Sequence, residues 1–344
     1  MALTIDKLGT PVSNHGDTRG EFTALVAECG VYALRGRAKI RLTGSDRTRW
    51  LNGMVTNNIR DLGQGCGVYA FVLNPQGHIL GDLYAYNRGD SLVVDTDQTQ
   101  AAKLLATFDH YIIMDDVEVA DMTVKLAGVG VSGPKSPTVL QAAGFVLPAA
   151  EPLRFLDVEW QGVPVTMVRG DNPAVESWEL WLDPAQSEMV QRAILAAGAK
   201  PVGSGALDSL RIAAGIPRYG QDIRERDLPQ ETGQWRALHF NKGCYIGQEI
   251  VERIRSRGAV HRNFTGFQVR GELPAPGTKI QCDGKEVGEI TSSASLPAPE
   301  GETLVALGYL RREAALPGKH LLAAESKLTL ASLPFAGVFS QQQR

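Results

Sequence analysis

The sequence predicts an α+β chain that ends in a small all-β unit, and three observations carry that reading. Strands in the first third are joined by hairpin turns rather than crossovers, helices with marked caps are interleaved with them, and from Phe264 onward short strands are punctuated by Gly and Pro. With 344 residues the chain is about twice the usual domain length, so two or three domains are expected.

The first unit opens with an alternating strand at residues 38–43 and continues into a helix capped by Ser45. Trp50, Leu51, Met54 and Val55 share one face of that helix, and its Arg and Asn residues are expected to face water. Residues 67–73, 79–86 and 92–95 read as strands of a meander, separated by the turn signals Asn74-Pro75-Gln76-Gly77 and Asn87-Arg88-Gly89-Asp90. A helix at 98–110 follows, with Ala101, Leu104, Leu105 and Phe108 at helical spacing.

The second unit, 117–201, carries strands near 117–131, 155–169 and 178–182 and closes with a helix. Asp183 is its expected N-cap, with Pro184 at the first position, Gln186 at the capping-box position and Gly198 just past the end. Another helix spans 203–215, a loop-rich stretch covers 216–243, and a further helix lies at about 248–255. The remainder, with Pro276-Gly277, Asp283-Gly284 and Pro317-Gly318, reads as a small β-barrel or sandwich.

Composition excludes several classes. With 43% hydrophobic and 21% charged residues the chain is globular, and its net charge of -3 rules out a generally polycationic nucleic-acid binder. Cys29, Cys66, Cys244 and Cys282 form no C-x-x-C pair and have no His at ligand spacing, so no metal site or disulfide framework is expected. No apolar run is long enough to cross a bilayer, and residues 1–20, with Asp6 and Asp17, lack the core of a secretory signal. A cytoplasmic address follows as the expectation.

Charge is uneven along the chain. Residues 211–262 hold ten Lys and Arg against six Asp and Glu, a local excess of +4 that favours an anionic partner such as a polyglutamylated cofactor, a phosphate or RNA. The alternative is a solvated helix face laced with pairs such as Glu249 and Arg253. Trp235, Phe240 and Tyr245 are too few for an RNA platform, so direct nucleic-acid binding is not expected. Within the segment, Lys242-Gly243-Cys244-Tyr245-Ile246-Gly247-Gln248-Glu249 places a thiol ahead of a helix start, where the dipole, Lys242 and Arg253 favour its ionised form. Cys244 is therefore a candidate nucleophile, or alternatively a small buried apolar residue.

Asp82 sits on a predicted strand among Ile79, Leu80, Leu83 and Tyr84, where it either meets a partner able to share a proton or points to water opposite Leu83. Glu179, between Trp178 and Trp181, poses the same choice.

Residues 203–223 (GSGALDSLRIAAGIPRYGQDI) closely resemble the helix-and-loop signature of the glycine cleavage T protein, the folate-dependent aminomethyltransferase. The element KGCYIGQEIVER at 242–253 resembles the signature of the related YgfZ branch of folate-binding proteins, and LTGSDRTRWLNGMVTNNI at 42–59 and LNPQGHILGDLYAY at 73–86 support the likeness. The resemblance implies three domains in a ring around a central channel for tetrahydrofolate. The implied division is 37–116 with 203–260, 1–36 with 117–202, and a barrel at 261–344.

By resemblance Tyr69, Asp82, Glu179 and Arg211 match the family's folate-pocket Tyr, Asp, Glu and Arg. Cys244 matches the YgfZ cysteine, within a signature of Lys242, Gly243, Tyr245, Gly247, Gln248, Glu249 and Arg253. The loop 169–179 lacks the usual Tyr-Thr-Gly, a departure that bears on aminomethyl transfer more than on folate binding. The branch implies an accessory role in making or repairing iron–sulfur clusters of client enzymes, some of which modify tRNA. The rival is an aminomethyltransferase or demethylase acting on a small amine.

Overall fold

A computed structural model describes residues 17–339 except 150, 259, 299–300 and 317. Its first helix, α1 (Thr18–Ala27), starts where the Asp17 carboxylate accepts the Gly20 N–H, and β1 (Gly30–Ala33) follows it. Next come β2 (Arg37–Thr43), α2 (Arg47–Met54), and the expected meander β3 (Cys66–Leu73), β4 (Ile79–Asn87) and β5 (Leu92–Asp97). α3 (Gln98–Tyr111) begins with the Asp97 carboxylate accepting from the Thr99 N–H. The strand β6 (Glu118–Asp121) pairs with the free edge of β2, so this sheet has the antiparallel order β3-β4-β5-β2-β6. The sequence reading had placed that strand in the second unit.

Two details of α2 differ from expectation. Ser45 is not its cap: Asp46 holds the N-cap position without a side-chain cap bond, the Ser45 N–H goes to the Asp116 carboxylate, and Asp116 donates its own N–H to Asp46. Asn52 is buried rather than solvated, since its Oδ1 accepts the N–H groups of Ile59 and Arg60 and shapes the turn beyond the helix. The apolar stripe is as expected: Trp50, Leu51, Met54 and Val55 join Ile40, Leu83, Leu104 and Phe108 in one core.

The second sheet uses β1 together with β7 (Ala127–Ser132), β8 (Phe155–Trp160), β9 (Val163–Arg169), β10 (Ser177–Leu182) and β11 (Lys200–Pro201), in the order β11-β1-β7-β10-β9-β8. Helices α4 (Ser136–Ala142) and α5 (Ser187–Ala196) accompany it. Asp183 caps a short 3-10 turn, Pro184–Gln186, that precedes α5, so the expected helix is entered in two steps.

After α6 (Ser204–Ala214), the loop-rich stretch and α7 (Gln248–Arg257), the chain closes a six-stranded barrel. Its strands are β12 (Arg262–Arg270), β13 (Lys279–Cys282), β14 (Lys285–Ala298), β15 (Gly301–Arg311), β16 (Leu321–Ala323) and β17 (Ser326–Ala331), with β17 returning to β12. Closure removes the open edges a sandwich would leave. Among the described residues no helix is long and apolar enough to cross a membrane.

The barrel is tied to α6 through one fully buried carboxylate. Asp222 accepts hydrogen bonds from Arg211 Nη1 at 2.6 Å, Thr291 Oγ1 at 2.5 Å, Ser292 Oγ at 2.7 Å and the Arg218 N–H at 2.9 Å. Removing one member strands the others without water. Asp222→Ala is therefore expected to lower unfolding stability by about 3–5 kcal/mol, read from urea denaturation, and an unchanged midpoint would contradict the assignment.

Candidate functional site

Alternation along β4 places Leu83 and Ala85 in the core and Asp82, Tyr84 and Tyr86 on the opposite face. Opposite Leu83, as the sequence allowed, Asp82 nevertheless does not face bulk water. It is half-buried, its Oδ2 accepts the Tyr69 hydroxyl at 2.6 Å, and its Oδ1 accepts Gln100 Nε2 at 2.7 Å. The Gln100 amide also receives the Asp82 N–H at 2.9 Å, so one side chain from the first turn of α3 clamps both backbone and carboxylate. Burial, reinforced by the Asp82 charge, pushes the Tyr69 hydroxyl well above its ordinary range, which keeps it a donor. Gln100 was missed from sequence; its signal is an amide on the apolar stripe of α3, beside Ala101 and Leu104.

Around this carboxylate the two sheets meet across a belt of charge and aromatic rings. Tyr69 and Tyr84 lie 4.9 Å apart, and the Arg236 guanidinium rests 4.4 Å above Tyr69 while pairing with Asp171. Tyr84 donates its hydroxyl to the same Asp171 at 3.1 Å. Farther along, Asp95 receives Lys39 at 2.7 Å and Arg37 at 2.9 Å, and Lys39 lies 4.0 Å over the Trp181 ring. Glu179 ends the belt: it accepts Trp181 Nε1 at 2.8 Å and lies 3.9 Å from Lys39. Tyr69, Asp82 and Glu179 thus line one inter-sheet belt, whereas Arg211 belongs to the Asp222 junction and Arg236 holds the cationic position beside Tyr69.

Burial alone would raise the Asp95 carboxyl, but Arg37 and Lys39 together hold it below the usual carboxylate range. A carboxylate with a lowered folded-state pKa stabilises above its unfolded value, about pH 4, and loses that contribution as the pH falls toward the folded value. Asp95→Asn should cost about 3–5 kcal/mol at neutral pH by leaving Lys39 buried without its carboxylate. The stability gap between the two proteins should shrink progressively as the pH falls below about 4; a gap that does not shrink in acid would contradict the pairing.

The basic segment is largely wired to acids. Arg224 and Arg226 reach Glu289, Arg262 reaches Asp227 and Glu231, and Arg218 reaches Asp208. No Glu249–Arg253 ion pair forms among the described residues; Glu252 pairs with Arg255 instead.

The Lys-Gly-Cys element is anchored on both sides of its thiol. Lys242 is buried, and its ammonium donates to the carbonyls of Asn52 and Val55 at 2.5 Å and Asn57 at 2.7 Å, the carboxyl end of α2. Burial, with Arg60 repelling, pulls its pKa down to about 7. Its hydrogen bonds thus go to the end of α2, and none goes to Cys244 among the described residues. Tyr245 is buried against Tyr69 and Phe71. Gly247, at φ +81°, starts α7 so close to the β3–β4 turn that a Cβ would lie 2.6 Å from the Asn74 carbonyl. Cys244 itself is exposed, while Cys29 and Cys282 are buried and Cys66 accepts Arg154 Nη1 at 2.8 Å. Among the described residues no three His, Cys, Asp or Glu side chains group as a metal site.

Next to Arg236 a cavity of about 370 Å³ opens where all three units meet: Asp171 and Pro173 from the β9–β10 loop, Gly215 past α6, and Phe264 of the barrel.

Comparison with known proteins agrees with this layout. The GCVT N-terminal domain family matches residues 12–242, and the CAF17 C-terminal β-barrel domain matches residues 262–336. An aminomethyltransferase of Rubrobacter xylanophilus is 30% identical over 283 residues, covering 81% of this chain and 76% of its own length. A putative chloroplastic transferase of Arabidopsis thaliana is 27% identical over 289 residues, covering 83% and 66%. The crystal structure of the glycine cleavage system aminomethyltransferase T from Bartonella henselae superposes with a TM-score of 0.82 at 21% identity, over 93% of this chain and 90% of that one, a likeness of fold.

Proposed function

This chain belongs to the GCVT family and carries a CAF17-type C-terminal β-barrel, and on that premise we propose that it is a tetrahydrofolate-binding accessory protein for iron–sulfur enzymes. Its clients are enzymes whose clusters it helps to assemble or repair, tRNA-modifying ones among them. The observation that carries the reading is the pairing of a donor-held carboxylate, Asp82, with an exposed thiol, Cys244, on a rigidly anchored turn.

The family binds tetrahydrofolate, and the residues present fit that group. A reduced pterin offers a flat ring with adjacent N–H donors, and each Asp82 oxygen accepts one bond within the protein, leaving lone pairs for more. Tyr69, Tyr84 and Arg236 supply flat partners beside it. When bound, a reduced folate supplies a carrier for one-carbon units. The chain's own residues do the rest: Asp82 orients the ring, Tyr69 stays a donor and holds the carboxylate in place, and the belt to Glu179 limits water.

Cys244 supports the accessory role. A lone exposed thiol can accept or pass on sulfur or iron only transiently, because a stable cluster needs several thiolates and none group here among the described residues. Four free cysteines suit the reducing cytoplasm proposed for the protein.

A second reading, a transferase or demethylase acting on a small amine, is favoured by the names of the relatives and by a carboxylate able to take a proton near a reacting group. The absence of Tyr-Thr-Gly from the loop 169–179 weighs against it. Formation of methylenetetrahydrofolate from candidate amines would favour this second reading over the first.

Equilibrium titration tests the folate site: the wild type should bind tetrahydrofolate at tens of micromolar or tighter, and Asp82→Asn should weaken it at least tenfold, about 1.4 kcal/mol. No binding by the wild type removes folate from the proposal. Cys244→Ser should keep the affinity and lose the rescue of iron–sulfur enzyme activity in a deletion strain; full rescue would show the thiol dispensable.

A further inference from the structure

A second cavity, of about 350 Å³, shares Trp235 with the inter-unit cavity and is lined by the segment that precedes Lys242, the carboxyl half of α7 and the barrel. Its size falls in the range of small-molecule sites. Trp235, Phe240, Arg255, Arg312, Asn263 and Gln230 line it, and no acid does among the described residues. Elsewhere in the basic segment Arg211, Arg218, Arg224, Arg226, Arg236 and Arg262 are matched by carboxylates.

Three features point to one ligand chemistry. Trp235 lines both this cavity and the inter-unit one, is 57% exposed and has no ring partner among the described residues, while the Arg255 guanidinium already lies 4.4 Å over Phe240. Arg312 forms no ion pair among the described residues, and Arg255 has only the long 3.4 Å contact with Glu252. Gln230 is 4% exposed; its Nε2 donates to the Val251 carbonyl at 2.9 Å, and its Oε1 has no hydrogen-bond partner. A buried amide oxygen left unpaired calls for an N–H donor. A flat ring, an anion and an N–H donor together describe a nucleotide.

We propose that this cavity binds a nucleotide, its base stacked on Trp235 with an N–H directed to Gln230 and its phosphate held by Arg312 and Arg255. Free nucleotides and the end of a single RNA strand share that chemistry. The sparse aromatics that argued against RNA in the sequence are here gathered in one place, since Trp235 and Phe240 line the same wall. The site is separate from Asp82, so its occupancy does not depend on the folate reading. It abuts the Cys244 turn through Phe240 and α7, so a bound nucleotide would sit beside the thiol's anchor.

The test titrates the full chain with AMP and, separately, with a ten-residue oligoadenylate, following quenching of tryptophan fluorescence at low salt. Saturable quenching by AMP supports a free nucleotide; much tighter binding of the oligomer, with a steep salt dependence, supports a strand end. In either case Trp235→Ala should abolish the signal, and Arg312→Glu should weaken binding at least tenfold, measured by calorimetry as well. Both side chains are exposed, so the variants should keep the wild-type melting temperature, and Arg312→Glu should keep the tetrahydrofolate affinity. Asp82→Asn should leave AMP binding unchanged. No saturable binding of either probe at millimolar concentration, or binding that survives both cavity variants, would overturn the proposal.

Discussion

Charges taken out of water must be met by opposite charges, and in this molecule that requirement fixes how the two sheets face each other. Lys39 and Asp95 are both almost fully buried, and the group that completes their neutralisation, Glu179, comes from the other sheet. Sliding one sheet past the other would leave the Lys39–Asp95 pair intact but take Glu179 from it, and Arg37, Lys39 and Asp95 would then hold an uncompensated positive charge in a dry interface. The packed rings of Tyr69, Tyr84, Tyr86 and Trp181 fill the remaining space, and Tyr69 and Trp181 carry nearby cations over their faces. Asp82 owes its setting to this arrangement, half-buried but supplied with donors by Tyr69 and Gln100.

The thiol element obeys a different rule. Cys244 is exposed, yet the residues around it are among the most constrained in the chain: Lys242 spends its charge on three carbonyls at the end of α2, Tyr245 is buried, and Gly247 is wedged against the hairpin turn. Such a turn presents one exposed thiol at a fixed place without needing it for stability. The glycines of the motif therefore answer to packing and backbone geometry, and only the sulfur is left for chemistry.

Much of the fold was legible because periodicity and turn chemistry were strong: the meander, the stripe of α3 and the Gly- and Pro-punctuated barrel all follow from local patterns. What local pattern missed depended on distant partners. The N-cap position of α2 falls to Asp46 instead of Ser45, whose N–H is held by Asp116, seventy-one residues away, Asn52 was drawn inside by the backbone beyond its own helix, and β6 joined the first sheet because β2 had a free edge. At the site, Tyr69, Asp82 and Glu179 could be named from motif likeness and sheet alternation. Gln100, Arg236 and Asp171 could not, because the first reads as part of an ordinary helix and the other two meet only when the sheets close. Arg211 shows the reverse: its motif is clear, but its guanidinium is committed to Asp222 and the barrel.

The account rests on a reduced pterin being held by the carboxylate of Asp82, and the most direct measurement is an experimental structure of the full chain with tetrahydrofolate. The account predicts the pteridine ring on the Asp82 carboxylate, beside Tyr69, within the belt that ends at Glu179. A ring bound elsewhere, with the bonds of Asp82 to Tyr69 and Gln100 undisturbed and the inter-sheet face empty of ligand, would contradict it.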